Sequence, residues 1–133
     1  MDNDLRLELY VDDIKRSVAF YADALGFDAG PSEYPTYRPL ERRGVRLALQ
    51  TITELEPDHP LVRGAPGAPR GLGVEIVLEV DDLEVLHSRL AGLGFDVSPL
   101  ETQDWDLRDF RVLDPDGYYL RITTPPLGSP AAP

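Results

Sequence analysis

The chain has no cysteine, and histidine, tryptophan and methionine are nearly absent from its 133 residues. Without cysteine, no disulfide can form and no thiolate can hold zinc. No apolar run approaches the ~18 residues that cross a bilayer, and no basic and then apolar leader opens the sequence. These absences predict a cytoplasmic protein with no membrane partner.

Basic residues are also scarce, because 13 lysines and arginines stand against 24 aspartates and glutamates, for a net charge of -11. A surface of this sign repels the phosphates of nucleic acids and of anionic lipids. We therefore expect neither nucleic acid nor a membrane as a partner. The same charge attracts small cations, although acidic proteins commonly use such charge for solubility alone.

The chain contains one sequence pattern in two copies. Residues 11–14 read Val-Asp-Asp-Ile and residues 25–28 read Leu-Gly-Phe-Asp; residues 80–83 and 93–96 repeat this as Val-Asp-Asp-Leu and Leu-Gly-Phe-Asp. In each copy, an alternating strand leads to an acidic helix start, and a Leu-Gly pair ends the helix. Two copies predict two similar half-folds with a cleft between them.

The hydrophobic pattern predicts the elements of both copies. Residues 5–11 and 74–80 alternate apolar with polar side chains, as half-buried strands do. Apolar helix stripes are predicted at Ile14, Val18, Tyr21 and Leu25, and at Leu83, Leu86, Leu90 and Leu93. Further strands are predicted near residues 27–30, 36–40, 45–51, 95–98, 108–113 and 118–124.

These elements predict a single α+β domain over residues 1–124, made of two modules at about 4–52 and 73–124. Residues 53–72 are rich in proline and glycine, which is typical of a linker. Residues 125–133 are mostly proline, alanine and glycine, and we predict that they form a disordered tail.

Three motifs carry a resemblance to a known family. They are the paired Val-x-Asp helix starts, the Leu-Gly-Phe helix ends, and Phe-Arg-Val-Leu-Asp-Pro-Asp-Gly at residues 110–117. From about Leu5 to Thr124, the chain resembles the vicinal oxygen chelate superfamily, which includes glyoxalases, ring-cleaving dioxygenases, fosfomycin-modifying enzymes and bleomycin-resistance proteins. The resemblance implies two βαβββ modules whose mixed sheets curl around a cleft, with helices on the outer face. It implies no single activity, because one scaffold hosts many sites.

In metal-dependent members, the resemblance implies metal ligands on the first and last strands of each module. Counting from the shared motifs places these positions at Arg6, Ala48, Glu75 and Arg121. A divalent cation needs lone-pair donors, whereas a guanidinium has N–H donors and no acceptor. We therefore expect that the protein uses no metal and no other cofactor.

The two histidines do not change this expectation. His59 lies in the linker and His87 lies on the second helix away from its leucine stripe. Neither is placed like a ligand, so both are expected to be ordinary packed or exposed side chains.

The alternation places several polar and aromatic side chains toward the expected cleft. The candidate ligand-binding residues are Arg6, Glu8, Tyr10, Gln50, Glu75, Trp105, Tyr119 and Arg121. Two interpretations are open for Glu75 and Arg121: an ion-pair network that closes the metal position, or a site that holds a ligand carboxylate or hydrogen-bonding group. Two are also open for Trp105, which lies among carboxylates: stacking on a flat cationic ligand, or packing of its own loop.

Three functional hypotheses follow. The first is a metal-free homodimer that sequesters an aromatic or cationic natural product without turning it over, in the manner of the antibiotic-resistance members of the family. The second is an enzyme of the same superfamily, a lyase, isomerase or dioxygenase, with a metal held by Glu75, Glu8 and Gln50 or with acid and base catalysis alone. The third is a regulatory module with an empty cleft. The sequence has no phosphate-binding glycine loop, nucleophile elbow or zinc-binding helix motif, and no catalytic residue is assigned.

Overall fold

The computed structural model describes residues 5–62, 69–103 and 107–125. The chain divides into two compact units, Met1–Ala68 (unit 1) and Pro69–Pro133 (unit 2). Trp105, linker residues 63–68 and tail residues 126–133 lie outside the described residues. No helix of the described part is long and apolar enough to cross a membrane.

Unit 1 begins with β1 (Leu7–Val11), followed by α1 (Ile14–Val18), which continues into a π-helical turn at Ala19–Ala24. Three strands complete its sheet: β2 (Asp28–Ala29), β3 (Tyr37–Arg42) and β4 (Val45–Thr51), after which a 3₁₀ turn spans Ile52–Glu54. The strand order is β1-β4-β3-β2, with β1 parallel to β4 and the other pairs antiparallel.

Unit 2 follows the same plan. Its elements are β5 (Ile76–Glu79), α2 (Leu83–Gly92), β6 (Glu101–Thr102), β7 (Arg108–Leu113) and β8 (Tyr119–Thr123). The order is β5-β8-β7-β6, again with one parallel pair, β5 with β8. The α+β class and the βαβββ order are therefore confirmed. Each sheet is open and uncurled, so the implied curl is not seen within either one; the cleft stays a prediction.

The first helix starts as its acidic motif predicts. Asp13 is the N-cap, and its Oδ1 accepts hydrogen bonds from the backbone N–H groups of Lys15 at 2.9 Å and Arg16 at 3.4 Å. At the other end, Gly26 adopts a φ of 83°, a left-handed conformation that glycine tolerates best. The residue types at Asp13 and Gly26 therefore predict where this helical segment begins and ends.

The apolar stripe of the first helix is only partly as predicted. Tyr21 and Leu25 are buried, whereas Ile14 and Val18 are half-buried. Ser17 and Phe20 are buried instead, and α1 is followed by a π-helical turn, in which the N–H of Leu25 donates to the carbonyl of Phe20 at 3.1 Å, five residues back. This wider turn rotates the side chains after it relative to those before it.

In unit 2, the predicted helix stripe holds at Leu83, Leu86 and Leu90, which are buried, but is wrong at Leu93, which is 59% exposed. The helix ends at Gly92, so Leu93 no longer follows the helical period. The strand predicted near 95–98 is also wrong, since Val97 forms only an isolated bridge with Val112.

Each sheet buries one set of alternate side chains, which includes Leu9, Val11, Leu47 and Leu49 in unit 1 and Leu78, Phe110, Leu120 and Ile122 in unit 2. The residues between them point to the opposite face, which we call the polar face. In unit 1 it carries Glu8, Tyr10, Tyr37, Arg46, Ala48 and Gln50. In unit 2 it carries Val77, Glu79, Asp109, Arg111, Tyr119 and Arg121.

Candidate functional site

Unit 1 brings its four candidate residues to one side of its sheet. Glu8 and Tyr10 lie on β1, and Gln50 is the direct neighbour of Tyr10 on β4. Arg6 precedes β1 and shares the parity of Glu8. Its Nη2 lies 2.7 Å from Oε2 of Glu8, and its Nε donates to the same oxygen at 3.0 Å.

A second tyrosine joins this face, which the sequence analysis did not single out. Tyr37 on β3 is paired with Gln50, so Tyr10, Gln50 and Tyr37 form one row across three strands. Neighbouring strands are ~4.8 Å apart, so the row places an aromatic ring on each side of the Gln50 amide. A strand was predicted near 36–40, but only its pairing with β4 places Tyr37 beside Gln50.

In unit 2, the candidates Glu75 and Arg121 are in direct contact. The Nε of Arg121 donates to Oε1 of Glu75 at 3.2 Å. This hydrogen bond links β8 to the residue that directly precedes β5. The side chains are 27% exposed for Arg121 and 41% for Glu75, so the pair lies at the surface of the unit. Tyr119 lies on the same strand and face as Arg121.

A further residue of this face, Asp109, contacts two of its arginines. It lies in the strand predicted at 108–113, where the sequence analysis gave it no role, and in the structure it is on β7 and 2% exposed. Its Oδ1 accepts hydrogen bonds from Nε2 of Gln103 at 2.9 Å and from Nη1 of Arg111 at 3.4 Å. Its Oδ2 lies 3.8 Å from Nη1 of Arg121.

Arg111 is the second residue that sequence reasoning missed. It is the direct cross-strand neighbour of Arg121. Burial alone would lower the pKa of Arg111, but the charges of Tyr119, Asp109 and Glu101 and a side-chain hydrogen bond with Tyr119 raise it above its usual value. The guanidinium is therefore charged at every physiological pH.

The donor set does not fit a divalent metal. At the positions implied by the family, Arg6 and Arg121 offer no lone pair and Ala48 offers only a methyl group. Glu75 is a donor, but its Oε1 accepts from Arg121. Within 5–62, 69–103 and 107–125, no three histidine or acidic side chains converge as a metal would require.

Both histidines have local partners. Nε2 of His87 is 2.8 Å from the carbonyl oxygen of Ser98, and its ring packs edge-on against Phe110 at 4.8 Å. Nδ1 of His59 accepts from the backbone N–H of Leu61 at 3.0 Å. These contacts are structural, as the sequence analysis expected.

Comparison with known proteins agrees with this architecture. The model of the Glyoxalase/Bleomycin resistance protein/Dioxygenase superfamily matches residues 5–122. A bleomycin resistance protein of Geobacillus stearothermophilus is 33% identical over 115 residues, which cover 81% of this chain and 86% of that protein. A bleomycin resistance protein of Staphylococcus aureus gives the same values.

Solved structures show the same fold. A protein of unknown function from Agrobacterium tumefaciens has a TM-score of 0.74 at 25% identity, over 94% of this chain and 95% of that one. A lactoylglutathione lyase from the same species has a TM-score of 0.67 at 20% identity, over 91% and 92%. The chain thus belongs to the glyoxalase, bleomycin resistance protein and dioxygenase superfamily.

Proposed function

We propose that this chain is a metal-free binding protein that sequesters an aromatic or cationic natural product and does not transform it. It works in the cytoplasm as a homodimer, as the resemblance implies. The observation that carries the proposal is the ion pair of Arg121 with Glu75, because a guanidinium occupies the only carboxylate among the four positions that would hold the family's metal.

The charges of unit 2 support a cationic ligand. Glu75, Glu79 and Asp109 on or beside its polar face outnumber the guanidiniums of Arg111 and Arg121. Asp109 is neutralised by its arginine neighbours, whereas the exposed Glu79 makes no ion pair with any described residue. With the net charge of -11, this attracts a cation and disfavours an anion.

The tyrosines of unit 1 support an aromatic or cationic group. Tyr10 and Tyr37 are half-buried, so each shows part of its ring at the polar face. Tyrosine offers a large apolar surface and a hydroxyl, and its ring attracts cations. Because bleomycin resistance proteins are 33% identical to this chain, bleomycin is the first ligand to test.

We expect bleomycin to quench the fluorescence of Trp105, the single tryptophan, in a saturable titration. Tyr10→Ala should weaken binding about tenfold, the size of a lost aromatic or cation contact. Tyr34→Ala is the matched control, because Tyr34 is 65% exposed and lies outside the strands, and we expect its dissociation constant to stay at the wild-type value.

Titration calorimetry provides the dissociation constants for all three proteins. Absence of any bleomycin binding, or equal losses in the two tyrosine variants, would contradict the proposed ligand class or the proposed face. Substrate turnover that appears only after a divalent metal is added would favour the enzyme hypothesis instead.

A further inference from the structure

The polar face of unit 2 holds two arginines side by side. Arg111 on β7 and Arg121 on β8 are paired residues of an antiparallel ladder, and their side chains are 36% and 27% exposed. The backbone of Arg111 is fixed on its other edge, where its N–H donates to Oγ of Ser98 at 2.8 Å and its carbonyl accepts from the N–H of Ser98 at 2.9 Å. The base of the Arg111 side chain is therefore held rigidly.

The buried carboxylate of Asp109 contacts this arginine pair. Asp109 contacts both guanidiniums, and the amide of Gln103 donates to the same carboxylate oxygen that Arg111 contacts. An unpaired carboxylate at 2% exposure is strongly unfavourable, so Asp109 keeps both guanidiniums close to it. The Arg111 side chain also hydrogen-bonds Tyr119 and remains 36% exposed, so part of its guanidinium is accessible to a ligand.

The charges of this cluster select the kind of group it can bind. Glu75 and Asp109 cancel Arg111 and Arg121, and Glu101 near Arg111 adds a further negative charge. A free anion gains little from such a site. A neutral acceptor gains a charge-assisted hydrogen bond without having to overcome repulsion from the carboxylates.

We propose that Arg111 is a specificity-determining residue that donates hydrogen bonds to a neutral amide carbonyl oxygen of the ligand, and that Asp109 is its positioning residue. This inference rests on the proposed binding function and names the chemistry that unit 2 contributes to it. The ligand is then a molecule that carries amide groups together with its aromatic or cationic part.

The first test compares Arg111→Gln with Arg108→Gln in bleomycin titrations by calorimetry. Arg108 lies on the same strand and is paired with Glu84, on the side of the sheet opposite Arg111, so both variants remove one positive charge from β7. We expect Arg111→Gln to raise the dissociation constant about 10- to 100-fold and Arg108→Gln to change it less than about 2-fold. Equal changes would overturn the assignment of Arg111.

The positioning role is tested with Asp109→Asn, alone and combined with Arg111→Gln. If Asp109 acts through Arg111, Asp109→Asn should weaken binding in the wild-type background and add little in the Arg111→Gln background. Additive losses would overturn the positioning role. Should Asp109→Asn fail to fold, Gln103→Ala provides the same comparison, because it removes a hydrogen bond to Asp109 and leaves the charge.

A second readout does not depend on bleomycin. The side-chain Nε–H signal of Arg111 is followed by ¹⁵N NMR during separate titrations with N-methylacetamide and sodium acetate. We expect a saturable shift with N-methylacetamide that exceeds the shift with acetate and exceeds the response of Arg108. A response to acetate alone, or none above that of Arg108, overturns the inference. If Arg111 responds to the amide and bleomycin does not bind, the proposed ligand fails and the amide site stands.

Discussion

Asp114→Ala is expected to lower the free energy of unfolding by about 3 kcal/mol, because one buried carboxylate organises the turn between β7 and β8. Its Oδ1 accepts from the backbone N–H of Asp116 at 2.8 Å and of Tyr118 at 2.9 Å. The residue is 4% exposed, so water cannot easily replace the lost acceptor. Urea denaturation of the full chain measures the change.

Two further variants sharpen this prediction. Asp114→Asn keeps an oxygen acceptor without the charge, so we expect it to recover part of the loss. Asp96→Ala removes a carboxylate from an exposed site in the same unit, and we expect a change within about 0.5 kcal/mol. A loss for Asp114→Ala as small as that for Asp96→Ala would show that the carboxylate does not organise the turn.

Gly71→Ala is expected to be the other strongly destabilising change. Gly71 has a φ of 73°, and an added Cβ would lie 2.6 Å from Cδ1 of Tyr118, which is closer than carbon atoms can approach. The backbone strain costs about 1–2 kcal/mol and the forced repacking about 1–3 kcal/mol more. We therefore expect a loss of about 3 kcal/mol in urea denaturation.

Gly73→Ala separates the two causes. Gly73 has a φ of 86°, but an added Cβ would meet no atom within 4 Å. It therefore carries the strain without the collision, and its expected loss is only about 1–2 kcal/mol. Equal losses for the two alanine variants would mean that Tyr118 does not pack against Gly71.

The repeated fold was predictable from residue type and period. Alternation identified β1, β4 and β5, and the bounds of β4 and β7 agree with the predicted ranges. The π-helical turn, with its wider hydrogen bond at Leu25, was not predictable, because no composition signal marks it. Periodicity assumes a uniform helix and fails where the helix is not uniform.

The residue types of the candidate site were predictable from the sequence, but the contacts between its side chains were not. Counting along the motifs found Arg121 and Glu75, and the structure brings these two together. Asp109 lies inside the strand predicted at 108–113, and it was missed because the sequence does not show that its side chain is buried on the polar face. Its burial arises from the pairing of β7 with β8 and β6, which one chain read in order does not reveal.

The position of Glu79 in the sheet was also not predictable from the sequence. In the sequence it is one of many acidic residues, whereas in the sheet it is in register with Thr123, which is paired with Asp109. Asp109 is neutralised by arginines, whereas Glu79 is exposed and can contact a cationic ligand. The strand register is needed to tell these two carboxylates apart.

We propose that ligand binding needs no metal, because Arg6 and Arg121 hold two of the four positions at which the resemblance places the ligands of metal-dependent family members. Calorimetric titration of bleomycin into protein stripped of metal by a chelator, repeated with added Zn²⁺, Mn²⁺ or Ni²⁺, tests this most directly. We predict saturable binding to the stripped protein and the same dissociation constant with each metal. Binding that appears only after a metal is added, or a metal held stoichiometrically through Glu75, would contradict the account.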